Sequence, residues 1–209
     1  MSLDTYDGLK AEIAAWLRRS DLTSEIPGFI ALAEAHMNRR LRVRPMTVRL
    51  AQTWDTEYVA LPADFLSERL VKLTSGGLTV LRYLTPEEMD ARAATGRPQF
   101  YGLYGGELRL HPAPDQAYGG ELVYLQAVPA LSDSNPSNWL LASHPDAYLY
   151  GALTQSAPYL RADERLQTWT ALFGAVLTDI ETADRAGAAA KLHTDAPIAV
   201  GERFDIIRG

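Results

Sequence analysis

A chain of 209 residues, 47% apolar and 22% charged, has the balance of a folded protein with one large domain, or a core carrying one insertion. Its formal net charge of -6 argues against broad attraction to nucleic acid or anionic membrane, while leaving a local basic patch open. With no cysteine there is no disulfide framework, no thiolate metal site and no cysteine nucleophile.

The N-terminus, MSLDTYDGLK, lacks the n-region and h-region of a signal peptide. No apolar run reaches membrane-spanning length. The expectation is a protein made and kept in a cytosol, or one that leaves the cell by a route other than secretion.

The spacing of Leu9, Ile13 and Trp16/Leu17 predicts a first helix over residues 5–19, capped by Thr5 or Asp7. A second helix starts near Pro27 and buries Ile30, Ala33, Met37 and Leu41. It ends in Arg39, Arg40, Arg42 and Arg44, with Pro45 as the stop. From Met46 the period changes to two. Residues 47–54 read as a strand, Asp55-Thr56-Glu57 as a turn, and residues 58–61 as the returning strand. Residues 69–74 and 78–83 read as a second strand pair around Ser75-Gly76-Gly77. Thr85, Pro86 and Glu88 form a capping-box start to a short helix over 86–94. Tyr104-Gly105-Gly106-Glu107-Leu108 is echoed by Tyr118-Gly119-Gly120-Glu121-Leu122. Each copy reads as a Gly-Gly turn followed by a strand start, giving a β-meander over 99–104, 107–111 and 120–127.

The stretch 136–160 opens with Asn138-Trp139-Leu140-Leu141, an apolar plug held by turn formers. Ser143 can cap a helix with Pro145 in its first turn, and Ala147, Leu149/Tyr150, Leu153 and Ala157 then recur at helical spacing. Pro158 ends or kinks it. Asp163 can cap a last helix over 163–190, whose stripe is Leu166, Trp169, Phe173, Leu177 and Ile180. That stripe is expected to meet the Leu9/Ile13 and Ile30/Met37 faces. Residues 194–209 read as an apolar terminal arm carrying Ile198, Val200, Phe204, Ile206 and Ile207. Such an arm either packs on its own domain or occupies a groove or sheet edge elsewhere.

Helices and strands are segregated along the chain, so the fold class is α+β. The economical arrangement is a helical bundle from residues 1–45 and 131–193, an antiparallel β-rich insertion over 46–130, and an extended arm over 194–209.

Little in the chain speaks of catalysis. Four histidines, His36, His111, His144 and His193, fall at no metal-ligand spacing, and neither a nucleophile elbow nor a P-loop is present. Glu87-Glu88 and Asp163-Glu164 sit at helix starts, where the helix dipole favours them. No cofactor or metal is expected. An enzyme would have to assemble its site from dispersed groups, of which His111, Asp115 and His144 are the candidates. The concentrated charge feature is Arg39-Arg40-Leu41-Arg42-Val43-Arg44. It fits a solvated or internally paired helix end, an acidic partner or neighbouring subunit, or nucleic acid.

Leu17-Arg18-Arg19-Ser20-Asp21-Leu22, the run from Ile26 to Ala35, and Asn38-Arg39-Arg40-Leu41-Arg42-Val43-Arg44 resemble the opening of tailed-phage head-to-tail adaptor proteins. The likeness resumes at Leu61-Pro62-Ala63-Asp64-Phe65, Gly96-Arg97-Pro98 and Leu110-His111-Pro112-Ala113-Pro114. It is strongest from Asn138 to Leu141 and from Tyr148 to Leu153, and continues from Asp163 to Trp169. These motifs are structural and span most of residues 5–185.

The resemblance implies a structural virion protein, present in the host cytoplasm during assembly. About twelve copies would form a closed ring beneath the portal. The ring would join the portal protein to tail or nozzle proteins and pass DNA through its channel without sequence-specific binding. Residues 194–209 would be the portal-binding arm, an assignment made by position. Arg39, Arg40, Arg42 and Arg44 would face a partner or neighbouring subunit. A stopper or tail-completion protein is the neighbouring alternative, and a nucleic-acid-binding module using the arginine run is another.

Overall fold

The structure is a computed structural model describing residues 3–90, 94–160 and 164–192, the last five by backbone alone. It is α+β: six α-helices and eight strands among the described residues, with the strands lying in sequence between the second and fourth helices.

Helix α1 spans Tyr6–Leu17. The Thr5 hydroxyl accepts from the Gly8 N–H at 3.2 Å, closing one of the free donors of the first turn. Leu9, Ile13 and Leu17 are buried. Trp16 stands at the rim, 38% exposed, and its indole N–H donates to Glu12. Helix α2, Ile26–Arg40, starts on Pro27 and buries Ile30, Ala33 and Met37.

The helix does not carry the whole arginine run to Pro45. It stops at Arg40, because Leu41 turns extended to bury its side chain, and Val43 does the same two residues on. Apolar residues alternating with arginines suit an extended segment with one face inward. Pro45 lies inside a 3-10 turn, Arg44–Met46.

The strands are β1 (Thr47–Trp54), β2 (Tyr58–Ala60), β3 (Phe65–Leu73), β4 (Thr79–Val80), β5 (Arg82–Tyr83), β6 (Phe100–Tyr104), β7 (Glu107–His111) and β8 (Tyr118–Gln126). They form two sheets of four, ordered β1-β8-β3-β4 and β2-β7-β6-β5. Trp54, Val71, Leu73 and Leu122 of the first sheet share a core with Tyr101, Leu108 and Leu110 of the second.

Two local pairings expected from the sequence give way to this sandwich, and a third holds in part. The strands 47–54 and 58–61 do not form a hairpin. Trp54 turns into the core while the next turn carries the chain to the opposite sheet, where Glu57 C=O accepts from Leu110 N–H at 2.8 Å. The hairpin around Ser75-Gly76-Gly77 forms as expected where β4 pairs antiparallel with β3, but the segment 78–83 then divides: β5 runs parallel to β6, with Leu81 buried between β4 and β5. The β6–β7 hairpin stands, with Gly105 at φ 59° in its turn. The second Gly-Gly copy is no turn: Gly119 and Gly120 lie inside β8, which crosses back to the first sheet.

The capping box forms as expected. Thr85 N–H donates to Glu88 Oε2 at 3.0 Å and Glu88 N–H to Thr85 Oγ1 at 3.4 Å, opening α3, Pro86–Asp90. On the first sheet, Glu121 is held between Lys72 (2.7 Å) and Arg49 (2.5 Å) on the flanking strands. Hydrogen bonds from Arg49, then Lys72, bring its carboxyl down to about 2.

The Asn138 plug is a short helix, α4 (Trp139–Ser143), with Asn138 Oδ1 accepting from Leu141 N–H at 2.8 Å. His144 rather than Ser143 stands at the cap of α5, Pro145–Gln155, and Ala157 lies exposed in a 3-10 turn beyond it. Helix α6 spans Arg165–Leu192, and Asp163, its expected cap, lies outside the described residues.

Helix α5 is the centre of the helical core, packing against α1, α2 and α6. The α6 stripe Trp169, Phe173, Leu177 and Ile180 is buried in one core with Leu9, Ile13, Ile30 and Met37; α5 is its main backbone neighbour, and on α2 the His36 ring meets Phe173 at 5.2 Å. Gly151 permits this: a Cβ there would meet Ala33 and Phe173 at 3.0 Å each.

The chain passes from β8 into the helices over a pinned segment. Glu34, buried on α2, accepts from Leu131 N–H at 2.8 Å and from the Tyr148 hydroxyl at 3.2 Å. Asn38 Oδ1 accepts from Val128 N–H at 2.8 Å. Burial, partly offset by these two donors, leaves the Glu34 carboxyl above its ordinary range.

Candidate functional site

The arginine run and the face of α6 beside it form a charged, concave region of the helical half. Arg40 reaches α6, donating to Thr178 Oγ1 at 2.8 Å and pairing with Glu181 at 3.6 Å. Arg42 turns back on its own helix and donates to the carbonyls of Asn38 (2.9 Å) and Leu41 (2.6 Å), supplying partners that a helix end leaves open. Arg44 holds Asp184 from both backbone N–H (3.2 Å) and Nε (2.7 Å).

Gly187 makes room for the Arg44 guanidinium, since a Cβ there would come within 2.5 Å of it. Burial pushes the Asp184 carboxyl up, but the Arg44 donors and the charges of Arg44 and Arg69 outweigh it and leave it below the usual range. Burial, then the charges of Arg39 and Arg40, push the nearby His36 imidazole down. Arg39 itself, in the last turn of α2, has no ion-pair partner among the described residues. The structure therefore ties three of the four arginines within the chain and leaves one toward solvent.

Two adjoining clefts open here. One, of about 190 Å³, is lined by Val43, Pro45, Trp139, His144, Ile180 and the Arg44–Asp184 pair. The other, of about 210 Å³, is bordered by Arg40, Arg42, Glu181 and Arg185. The first offers an apolar floor and the second a mixed-charge rim, an arrangement suited to a protein segment.

The three residues weighed for an enzyme are not brought together. His111 and Asp115 belong to the sandwich, where Asp115 Oδ1 accepts from the Tyr118 hydroxyl at 2.7 Å, whereas His144 lies at the α4–α5 joint. Among the described residues no group of three or more His, Asp or Glu is placed to hold a metal, and no helix is long and apolar enough to cross a membrane. Ile198, Val200, Phe204, Ile206 and Ile207 lie outside the described residues.

Sequence reasoning overlooked the edge of the sandwich at 78–83, where Leu78, Val80 and Tyr83 are exposed. The available signal was an apolar run, Leu78-Thr79-Val80-Leu81, that lacks clean in–out alternation.

A family model, that of the SU10 adaptor protein, matches residues 4–195. The chain belongs to the SU10 adaptor protein family. It is accordingly a phage adaptor protein, a structural component of the virion, and the head-to-tail resemblance read from its motifs agrees with that membership. No curated protein matches the chain. In this adaptor the matched residues take in both cores, the helical one around α5 and the sandwich one around Trp54.

Proposed function

We propose that the adaptor assembles as a ring of about twelve copies beneath the portal vertex. The ring joins portal to tail or nozzle proteins and encloses a channel for the genome. The observation that carries this reading is the family match across nearly the whole described chain. The net charge of -6 supports it, because a channel of low affinity for phosphates lets DNA slide.

The arginine run with its clefts is the helical partner surface in this reading, Arg39 offering a cation with no ion-pair partner among the described residues. Residues 194–209 are the arm that grips the portal, by adding to a sheet edge or filling a groove. The test is to mix the adaptor with the portal protein of the same phage and image the product by electron microscopy. An added cyclic layer is the expected result, and a bare portal refutes the reading. Truncation at Thr194 is expected to leave a folded chain that no longer binds portal. Undiminished binding by the truncated chain would dismiss the arm.

A further inference from the structure

The sandwich has two open sides, and they differ. Strands β1 and β2, joined by the Asp55–Glu57 turn, are the outermost strands of the two sheets on one side. Strands β4 and β5, consecutive through Leu81, are the outermost strands on the other. Among the described residues no strand lies beyond either pair.

Natural sheets guard such edges with lysine, proline or short length, because unpaired backbone groups recruit other chains. The eight residues of β1 contain neither lysine nor proline, and their one charge, Arg49, is tied to Glu121. The opposite edge exposes Leu78 (72%), Val80 (54%) and Tyr83 (49%) within six residues, beside a cleft of about 420 Å³ lined by Val80, Arg82, Arg97 and Phe100.

The two sides are complementary in charge as well. Arg82 on β5 and Asp55 at the end of β1 are both exposed, and neither has an ion-pair partner among the described residues. Tyr58 adds a half-exposed ring on the Asp55 side, resting edge-on against Tyr104 and beneath the Arg109 guanidinium. An edge that carries the acid and a long unguarded strand, matched by one that carries the cation, the cleft and the apolar cover, suits a head-to-tail contact between identical chains.

We propose that the β4/β5 edge of one copy docks on the β1/β2 edge of the next, making the sandwich a subunit contact of the ring. The inference rests on the ring reading above and specifies which surfaces meet. The same contact repeats from copy to copy without using up either side, so it propagates until it closes.

The chain has no native cysteine, so coupling through introduced thiols is unambiguous. Tyr58→Cys and Val80→Cys are introduced singly and together, bound to portal, and treated with a short bismaleimide. The doubly substituted chain is expected to give a ladder of coupled copies and each single variant none. A portal-bound layer whose doubly substituted copies stay uncoupled overturns the proposal. So does coupling by either single variant to itself, which would mean like edges meeting, or coupling to the portal in place of a neighbouring copy. A portal that gains no layer overturns the ring reading instead.

A charge swap adds an arm independent of thiol geometry. Arg82→Asp and Asp55→Arg are each expected to lower the ladder yield by about tenfold, and their combination in one chain to restore it. Equal yields in all three variants count against the contact.

Discussion

Gly120 offers the sharpest test of the sandwich. It lies within β8 opposite Gln52, and a Cβ built on it would fall inside the Trp54 indole. Trp54 is fully buried, so the ring has no free space to enter. Overpacking of this kind costs about 1–3 kcal/mol. A Cβ at 2.1 Å from the ring puts the cost at the upper end of that range, and alanine in a strand recovers about 0.5–1 kcal/mol over glycine, so Gly120→Ala should lose about 2 kcal/mol net. Two neighbours serve as controls. At Gly119 the added atom meets the Thr74 hydroxyl at 2.8 Å, a group that can rotate away, and at Gly106 it meets nothing within 4 Å. Both alanine variants should stay within about 0.5 kcal/mol of the parent in urea unfolding. The reasoning is refuted if Gly120→Ala is as stable as the parent, or if Gly106→Ala loses as much.

Leu177→Ala, in the buried α6 stripe, should cost about 2–5 kcal/mol in denaturant melts, and a loss near zero would mean that the stripe is not core. Glu121 has its carboxyl lowered to about 2, so its ion pairs stabilise the fold above the ordinary carboxylate range and weaken as pH falls toward that value. Glu121→Gln should flatten the acid limb of thermal stability against pH. Glu34 has the opposite sign. Its raised carboxyl favours the fold when protonated, a contribution lost as pH rises through the folded value, and Glu34→Gln should remove that loss while keeping an acceptor for Leu131 N–H.

Helices were legible because their cause is local. Leu9, Ile13 and Leu17, or Trp169, Phe173, Leu177 and Ile180, recur at helical spacing and are buried on one side. The strand segments were legible for the same reason, since period two marks them. Their partners were legible only across the short turns of β3–β4 and β6–β7; the other pairings are decided by residues far apart in sequence. Nothing in Asp55-Thr56-Glu57 says whether the next strand returns or crosses; burial of Trp54 against Gly120, 66 positions later, settles it. The second Gly-Gly copy misled for that reason: its glycines answer to an indole, not to a turn. The arginine run was legible as charge, but its helix end was not. The clue was present in Leu41 and Val43, whose alternation with Arg42 and Arg44 marks an extended segment.

The proposed edge contact also bears on when the ring can form. Strands β2, β4 and β5 hold three, two and two residues, so one contact adds few backbone hydrogen bonds. Each bond contributes about 0.5–1.5 kcal/mol net. Association costs about 4–15 kcal/mol in lost freedom, which so short an edge does not offset alone. A portal that has already gathered the copies removes most of that cost by raising their effective concentration. The free adaptor should therefore sediment as a monomer at micromolar concentration, and show the Tyr58→Cys/Val80→Cys ladder only once portal is added. A stable ring of the purified chain at low micromolar concentration would show that far stronger contacts than the sandwich edges hold the copies together.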